Sequence, residues 1–212
     1  MRWLRNLAGA VLVGTVAAAA EPVVIAALGD SLTQGYGLAP EDGFVPQLER
    51  WLAERGADVR VLNAGVSGDT TQGGLSRVGW TLTPEVDAMI VALGGNDMLR
   101  GIDPAVSRRN LAGILEAAGE AGVAVLLVGM SAPGNYGPEF KRDFDAMYPE
   151  LAAEYGAVYV ENFLEPLAAR ADEEGAREKL MQGDGIHPSA QGVALIVEGL
   201  GPAVMELIGR VD

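Results

Sequence analysis

A serine near the N-terminus and an aspartate and a histidine near the C-terminus have the side chains needed for acyl transfer through a covalent intermediate. Ser31 follows the first apolar run, where a serine at the start of a helix exposes its hydroxyl and its own backbone N–H. His187 is the only histidine, and Asp184 stands three residues before it in a Gly- and Pro-containing turn. The carboxylate can orient one imidazole nitrogen and leave the other as a base. The pattern predicts a nucleophile, a base and an orienting carboxylate.

Two further residues are candidate hydrogen-bond donors to the oxyanion that acyl transfer creates. Gly68 lies in a Gly- and Ser-rich turn after the second apolar run, and Asn96 follows a glycine pair after the third. Each candidate also has a plainer explanation when taken alone. Ser31 or Asp30 would cap a helix, His187 would lie in a surface loop, Gly68 would be a turn glycine and Asn96 would form an Asx turn. Their convergence on loops at one sheet edge favours catalysis.

Five short runs rich in Val, Ile, Leu and Ala predict buried strands. They are Val23–Leu28, Val59–Asn63, Asp87–Leu93, Val123–Met130 and Ala157–Val160. Helical patterns separate them, and strands that alternate with helices predict βαβ units and a parallel sheet covered on both faces. In such sheets, sites form beyond the carboxyl ends of the strands, where Ser31, Gly68 and Asn96 all fall. We expect one domain over residues 21–212.

Helical spacing of apolar residues places the helices between these strands. Phe44, Leu48, Trp51 and Leu52 share one face, as do Leu111, Ile114, Leu115 and Ala118 after Asp103 and Pro104 at the helix start. Val193, Val197, Leu200, Val204 and Leu207 mark a final helix. Trp51 and Trp80 lie in helical surroundings, so both are expected in the core.

Composition excludes several classes of function. The chain has no cysteine and one histidine, so a Cys-ligated metal, an iron–sulfur cluster and a multi-histidine zinc site are excluded. The formal net charge of −14 disfavours nucleic-acid binding, because such a chain repels phosphate backbones. We therefore expect chemistry that needs no metal and no cofactor, acting on a small molecule.

Residues 1–20 have the pattern of a secretory signal peptide. Arg2 and Arg5 give a positive start, Leu7–Val16 is uncharged, and Ala17–Ala20 has the small residues that a signal peptidase reads. The alternative is a retained membrane anchor, but the apolar run Leu7–Ala20 is shorter than the ~20 residues needed to span a bilayer. We expect cleavage near Ala20, a periplasmic or secreted protein without stable membrane insertion, and no later segment apolar enough to span.

Four sequence blocks resemble those of the GDSL, or SGNH, hydrolase family. They are Gly29–Leu32 (Gly-Asp-Ser-Leu), Ser67–Thr70, Gly94–Asp97 and Asp184–Pro188. Within that family the chain is most similar to the periplasmic acyl-CoA thioesterase, arylesterase and lysophospholipase group, which Asn135–Gly137 and Met147–Leu151 also fit.

This resemblance implies a role for each candidate residue and a fold. Ser31 would be the nucleophile, His187 the base and Asp184 the orienting carboxylate. Gly68, Asn96 and the Ser31 N–H would form the oxyanion hole. The implied fold is a flavodoxin-like three-layer α/β/α sandwich with a five-stranded parallel sheet.

These expectations predict a serine hydrolase that cleaves small acyl esters or thioesters through an acyl-enzyme and acts as a monomer. Aryl esters, acyl-CoA and lysophospholipids are the candidate substrates. An apolar groove for an acyl chain would be lined by Leu75, Val78, Trp80 and Tyr136. Two alternatives stay open. One is a carbohydrate O-acetylesterase on the same fold, and the other is a non-catalytic extracytoplasmic binding protein.

Overall fold

The computed structural model describes residues 21–211, and within them five strands form one parallel sheet. The strands are β1 (Val23–Gly29), β2 (Val59–Gly65), β3 (Ala88–Ala92), β4 (Ala124–Val128) and β5 (Val158–Val160). Their spatial order is β2-β1-β3-β4-β5, with every neighbouring pair parallel. All five strands occur where the apolar runs predicted them. The predicted signal peptide, residues 1–20, lies outside the described residues.

The direction in which the chain adds strands to the sheet reverses at β1, and a site can form where that direction reverses. From β1 the chain moves to β2 on one side, and then returns to β3 on the other side of β1. Gly29 at the end of β1 is level with Gly65 of β2 and Ala92 of β3. The loops after these strands therefore diverge and leave a crevice at their carboxyl ends.

Helices cover both faces of the sheet. They are α1 (Ser31–Gln34), α2 (Phe44–Glu54), α3 (Thr71–Thr81), α4 (Gly95–Leu99), α5 (Pro104–Glu120), α6 (Pro138–Tyr155), α7 (Glu165–Ala168), α8 (Ala176–Leu180) and α9 (Ala190–Ile208). Ile25 and Ala27 of β1 pack in the apolar cluster with α2 and α9. The alternate residues Val24 and Ala26 pack with α3, α5 and α6. Two cores on opposite sides of one sheet make a three-layer α/β/α sandwich, as predicted.

The predicted helix faces are buried, with one exception. Phe44, Leu48, Trp51 and Leu52 all lie in the core. Trp80, in contrast, is 87% exposed, so the expectation that it is a core residue is wrong. In α3 the buried residues are Thr71, Gly74 and Val78, which share one face at a helical spacing. Trp80 is two residues beyond Val78, about 200° around the helix, and so faces solvent.

Helix α9 corrects the expectation that no segment after residue 20 is long and apolar enough to span a membrane. By length and composition alone, Ala190–Ile208 passes that test. The buried residues of α9 include Val193, Val197, Leu200 and Val204, which pack in the core cluster with α2 and the sheet. Packing in the core therefore accounts for the apolar composition of this helix.

Candidate active site

Ser31, His187 and Asp184 form one hydrogen-bonded chain at the carboxyl edge of the sheet. The Ser31 Oγ is 2.9 Å from His187 Nε2, although the two residues are 156 positions apart. On the other side of the ring, His187 Nδ1 is 2.6 Å from Asp184 Oδ2. With Nδ1–H donated to the carboxylate, Nε2 is left as the acceptor for the serine proton. The structure thus brings these three residues together.

The turn that carries His187 is fixed by its own acidic residue. Asp184 Oδ1 accepts the backbone N–H groups of Ile186 at 2.9 Å and His187 at 3.0 Å. The hydrogen bond from the His187 side chain, with these two backbone bonds, holds the pKa of Asp184 far below its ordinary value. Asp184 therefore remains ionised at neutral and mildly acidic pH. On one side of the imidazole, the ring of Tyr36 packs at 4.6 Å between centroids.

The start of α1 shows why the Ser31 hydroxyl is available. Asp30 is the N-cap, because its Oδ1 accepts the Leu32 N–H at 3.0 Å. The capping role that sequence alone left open between Asp30 and Ser31 therefore belongs to Asp30. Ser31 is the first helical residue, and its hydroxyl bonds to His187 instead.

Ser31, Gly68 and Asn96 line one cavity, and each carries a hydrogen-bond donor that is free to bind a ligand. Within residues 21–211, no acceptor bonds to the backbone N–H of Ser31 or of Gly68. The side chain of Asn96 donates through Nδ2 to Asp30 Oδ2 at 3.2 Å. A primary amide has two N–H groups, so one remains for a ligand. This set matches the donors that a tetrahedral oxyanion needs.

Asp30 therefore serves two donors with its two carboxylate oxygens. It is only 3% exposed, and burial raises its pKa above the ordinary value, although the Leu32 N–H and the Asn96 amide oppose that shift. Because a carboxylate oxygen accepts and does not donate, the nitrogen of the Asn96 amide must face Asp30. Asp30 thus fixes the orientation of Asn96.

Two glycines shape the loops that carry these donors. Gly68 has φ +80°, a left-handed conformation that side chains other than glycine rarely adopt, and its carbonyl accepts from Arg100 Nη2 at 2.8 Å. Gly94 has φ +118° directly before α4, and a Cβ there would collide with Tyr148 Oη. That hydroxyl donates to the Leu93 carbonyl at 3.0 Å. The glycine before α4 therefore lets the Asn96 loop turn tightly over a buried tyrosine.

One cavity of about 500 Å³ contains Ser31, Gly68, Asn96 and His187 in its walls. The remaining wall is mostly apolar and includes Leu32, Tyr36, Met98, Leu99, Met130, Leu164, Met181 and Ile186. Sequence alone did not identify these residues, because they come from six separate segments and carry no distinctive motif. A cavity of this size and character can hold a small molecule with an apolar arm.

The apolar groove predicted from sequence is not this cavity. Leu75 and Val78 pack in the core cluster between the helices and the sheet. Trp80 faces solvent, and Tyr136 lies outside the cavity, with its hydroxyl donating to the Leu99 carbonyl at 3.3 Å. The four residues lie in segments that follow strands of the sheet, but the helical backbone of those segments points their side chains away from the cavity that contains Ser31.

Asp97 is a residue of the site region that sequence reasoning missed. It is fully buried beside Asn96, and its oxygens accept the Thr71 N–H at 2.8 Å, the Thr71 hydroxyl at 2.5 Å and the Ser107 hydroxyl at 2.9 Å. Asn110 Nδ2 adds a bond to Thr71 Oγ1 at 3.0 Å. No Lys, Arg or His of the described chain forms an ion pair with Asp97. Hydrogen bonds from Thr71 and Ser107 therefore satisfy the buried carboxyl group, which lies in the first turn of α4 and at the N-terminus of α3.

We expect Asp97→Asn to lower the free energy of unfolding by about 1–3 kcal/mol, because an NH₂ group would replace an oxygen that accepts charge-assisted bonds. Urea unfolding at neutral pH measures this change. Asp103→Asn is the matched control, since Asp103 caps α5 from an exposed position. A change at Asp97 no larger than that of the control would show that the buried network is not stabilising.

No group of three or more His, Asp or Glu side chains within residues 21–211 is arranged to hold a metal ion. Of the titratable side chains that line the cavity, Asp30 and His187 make the hydrogen bonds described above, and Tyr36 packs on the His187 ring.

Comparison with known proteins identifies the family. Residues 27–195 match the GDSL-like Lipase/Acylhydrolase family, and that range contains every predicted site residue. The chain belongs to the GDSL hydrolase family. It is 38% identical over 195 residues to Esterase TesA of Pseudomonas aeruginosa, with 92% of each chain covered. It is 33% identical over 211 residues to Thioesterase 1/protease 1/lysophospholipase L1 of Escherichia coli, covering 99% of this chain and 95% of that one.

A solved structure supports the same assignment. The crystal structure of AlinE4, an SGNH-hydrolase family esterase, superposes with a TM-score of 0.72 at 44% sequence identity. The match covers 89% of this chain and 98% of that one. The chain is therefore a GDSL-type hydrolase on the fold that the sequence predicted, and the resemblance seen in the four blocks is confirmed.

Proposed function

We propose that this GDSL hydrolase is a serine esterase or thioesterase that works through an acyl-enzyme. The observation that carries the proposal is the unbroken chain from Ser31 Oγ to His187 at 2.9 Å and from His187 to Asp184 at 2.6 Å. In the first half-reaction, Ser31 Oγ attacks the carbonyl carbon while His187 Nε2 takes its proton. The charged carbonyl oxygen is held by the N–H groups of Ser31 and Gly68 and by Asn96.

The first half-reaction ends when the tetrahedral intermediate collapses to the acyl-Ser31 ester and the leaving alcohol or thiol takes the proton from His187. The second half-reaction regenerates the enzyme. Water attacks the acyl-Ser31 ester with His187 again acting as base. A second collapse releases the carboxylic acid and restores the Ser31 hydroxyl. Throughout, Asp184 stabilises the imidazolium, and its low pKa keeps it ionised for this role.

The cavity favours substrates with an apolar arm. Its wall beyond the catalytic groups is built from Met, Leu, Ile and Tyr side chains. This supports aryl esters, acyl thioesters or lysophospholipids as substrates, and the names of the two relatives include esterase, thioesterase and lysophospholipase. A carbohydrate O-acetylesterase would need polar groups to bind a sugar. The mostly apolar wall of the cavity disfavours that alternative.

A substrate panel tests the proposal. Purified protein should hydrolyse p-nitrophenyl esters, acyl-CoA and lysophosphatidylcholine, and should be slow on O-acetylated sugars. Each assay is run with and without a chelator, which should leave the rate unchanged because no step uses a metal. Absence of turnover on every ester and thioester would favour the non-catalytic binding protein. Faster turnover of acetylated sugars than of aryl esters would favour the O-acetylesterase.

We also propose that the protein is exported and cleaved near Ala20. The supporting features are the two N-terminal arginines, the uncharged stretch and the alanine run in residues 1–20. Expression in a bacterial host followed by N-terminal sequencing of the periplasmic fraction should yield a chain that begins at or near Glu21. A soluble exported chain that still begins with Met1 would contradict the proposal.

A further inference from the structure

The loop after β2 contains a tight turn whose central peptide carries the Gly68 N–H. The Asp69 N–H donates to the Val66 carbonyl at 3.0 Å, which closes a four-residue turn. Gly68, the third residue of the turn, has φ +80°. Within residues 21–211 only glycines have a positive φ, so the φ of Ser67 is negative. This combination is a type II β-turn. We call residues Val66–Asp69 the Gly68 turn.

The type of this turn determines the direction of the Gly68 N–H. Between a type II and a type I turn the central peptide rotates by roughly 180°, so its N–H reverses direction. Type I is the commoner turn, and glycine can adopt the backbone conformation of either type. A glycine at position 68 therefore permits the type II turn but does not enforce it. Contacts around the turn must select the orientation of its N–H.

One side chain of α3 links the strand that leads to Ser31 with the turn that contains Gly68. Arg77 Nε donates to Asp69 Oδ2 at 2.7 Å, and Arg77 Nη2 donates to the Gly29 carbonyl at 2.9 Å. Asp69 directly follows Gly68 in the chain. Gly29 lies two residues before Ser31. The Arg77 guanidinium thus connects the nucleophile segment to the turn that carries an oxyanion donor.

The contacts of Arg77 form a rigid link. The guanidinium is planar and its donors have fixed directions, and a third bond runs from Nη1 to the Ala64 carbonyl at 2.7 Å near the end of β2. The side chains of Arg77 and Asp69 are only 22% and 15% exposed, so solvent screens the pair little. Other side-chain hydrogen bonds of the Gly68 turn are exposed, and they run from Ser67 to Gln34 and from Arg100 to the Gly68 carbonyl.

We propose that Arg77 is a positioning residue for the oxyanion hole. Through Asp69 it keeps the Gly68 turn in the type II form and at a fixed distance from Ser31, so that the Gly68 N–H can bind the oxyanion. This inference rests on the proposed esterase function. Within the described chain, the walls of the cavity that contains Ser31 do not include Arg77. Arg77 therefore acts on the reaction only through the geometry of the donor.

Two variants break the link at different points. Arg77→Met removes all three hydrogen bonds and keeps a long side chain, whereas Asp69→Ala breaks only the bond to the Gly68 turn. Arg60→Met is the matched control, because Arg60 forms an exposed ion pair with Glu85 and lies at the other end of β2 from the turn. Each protein is assayed for kcat and KM on an aryl ester, and for the Ki of methyl hexyl ketone and of trifluoromethyl hexyl ketone.

The two ketones separate binding of the oxyanion from binding in the cavity. Ser31 Oγ adds to the carbonyl carbon of the trifluoromethyl ketone while His187 takes the hydroxyl proton, and the π electrons of the carbonyl become the negative charge of the hemiketal oxygen. The ketone without fluorine binds without this addition and resembles the ground state of a substrate. Neither Ki depends on the amount of folded enzyme, so a loss of stability alone changes neither.

In Arg77→Met, kcat should fall about 10–100-fold with KM within about threefold of the wild type, because a displaced donor loses most of its contact with the transition state. The Ki of the trifluoromethyl ketone should rise by a similar factor, and that of methyl hexyl ketone should stay within about twofold. Asp69→Ala should change the same quantities in the same direction. Arg60→Met should leave all of them near the wild-type values.

The other outcomes contradict the proposal in distinct ways. If kcat and the Ki of the trifluoromethyl ketone in both variants matched those of Arg60→Met, Arg77 would have no positioning role. Equal rises in the two Ki values would indicate a distorted cavity and not a displaced donor. An effect in Arg77→Met alone would overturn the route through Asp69, and Asp69→Ala decides the question if Arg77→Met does not fold. A wild-type protein that hydrolyses no ester would instead overturn the esterase proposal.

Discussion

Ser31→Ala should lower kcat for ester hydrolysis on the order of 10⁵-fold, because the variant has no nucleophile to form the acyl-enzyme. Any residual rate would come from the oxyanion donors acting on a direct attack by water. The protein should remain folded, since the Ser31 hydroxyl bonds to His187 and the α1 cap is supplied by Asp30. Steady-state kinetics on an aryl ester, with circular dichroism to check folding, measure both expectations.

Covalent labelling tests whether the nucleophile is Ser31 and not another serine. A fluorophosphonate should modify Ser31 in the wild type and nothing in Ser31→Ala, and peptide mass spectrometry identifies the labelled residue. Ser76→Ala is a suitable control, because the Ser76 hydroxyl bonds to the Gly73 carbonyl on the surface of α3. Label on another serine, or a kcat for Ser31→Ala near that of the wild type, would remove Ser31 from the mechanism.

Much of the fold was predictable because its signals are local. Runs of Val, Ile, Leu and Ala predicted β1 to β5, and helical spacing predicted the buried faces of α2, α5 and α9. Trp80 was mispredicted because its exposure depends on which face of α3 meets the sheet. The spacing of residues along α3 does not give the orientation of the helix relative to the sheet. Packing between elements that are distant in sequence determines that orientation.

Some residues of the candidate site could likewise be predicted from the sequence, and others could not. Ser31 and Asn96 were identifiable because they follow strand ends that converge at one edge of a parallel sheet, and His187 because it is the only histidine. The apolar walls were not, because Met181 and Leu164 meet in one cavity only when the segments around α7 and α8 pack against α9. Asp97 was missed for a related reason. Its partner Thr71 lies 26 residues away, and nothing in the local sequence distinguishes a buried acidic residue from an exposed one.

Asn96→Ala should lower kcat by roughly 10²–10³-fold, the usual effect of removing one oxyanion donor, with little change in KM. The reason is that the amide bonds to a charge that exists only in the transition state, whereas the ground-state carbonyl gains much less from it. Asn96→Asp should be at least as damaging. It would set a second carboxylate against Asp30, 3.2 Å from the present amide nitrogen, and against the developing oxyanion.

A purely structural role for Asn96 makes the opposite prediction, a lower melting temperature with a nearly normal kcat in the folded protein. Asn63→Ala supplies the comparison, because Asn63 Oδ1 accepts the Gly65 N–H at 3.0 Å in the Asx turn that ends β2. Loss of that turn should affect stability and leave kcat within a few-fold. If a folded Asn96→Ala enzyme behaved like Asn63→Ala, the oxyanion would have to be held by the Ser31 and Gly68 N–H groups alone. The Asp30–Asn96 contact would then serve only to anchor the loop after β3 to the start of α1.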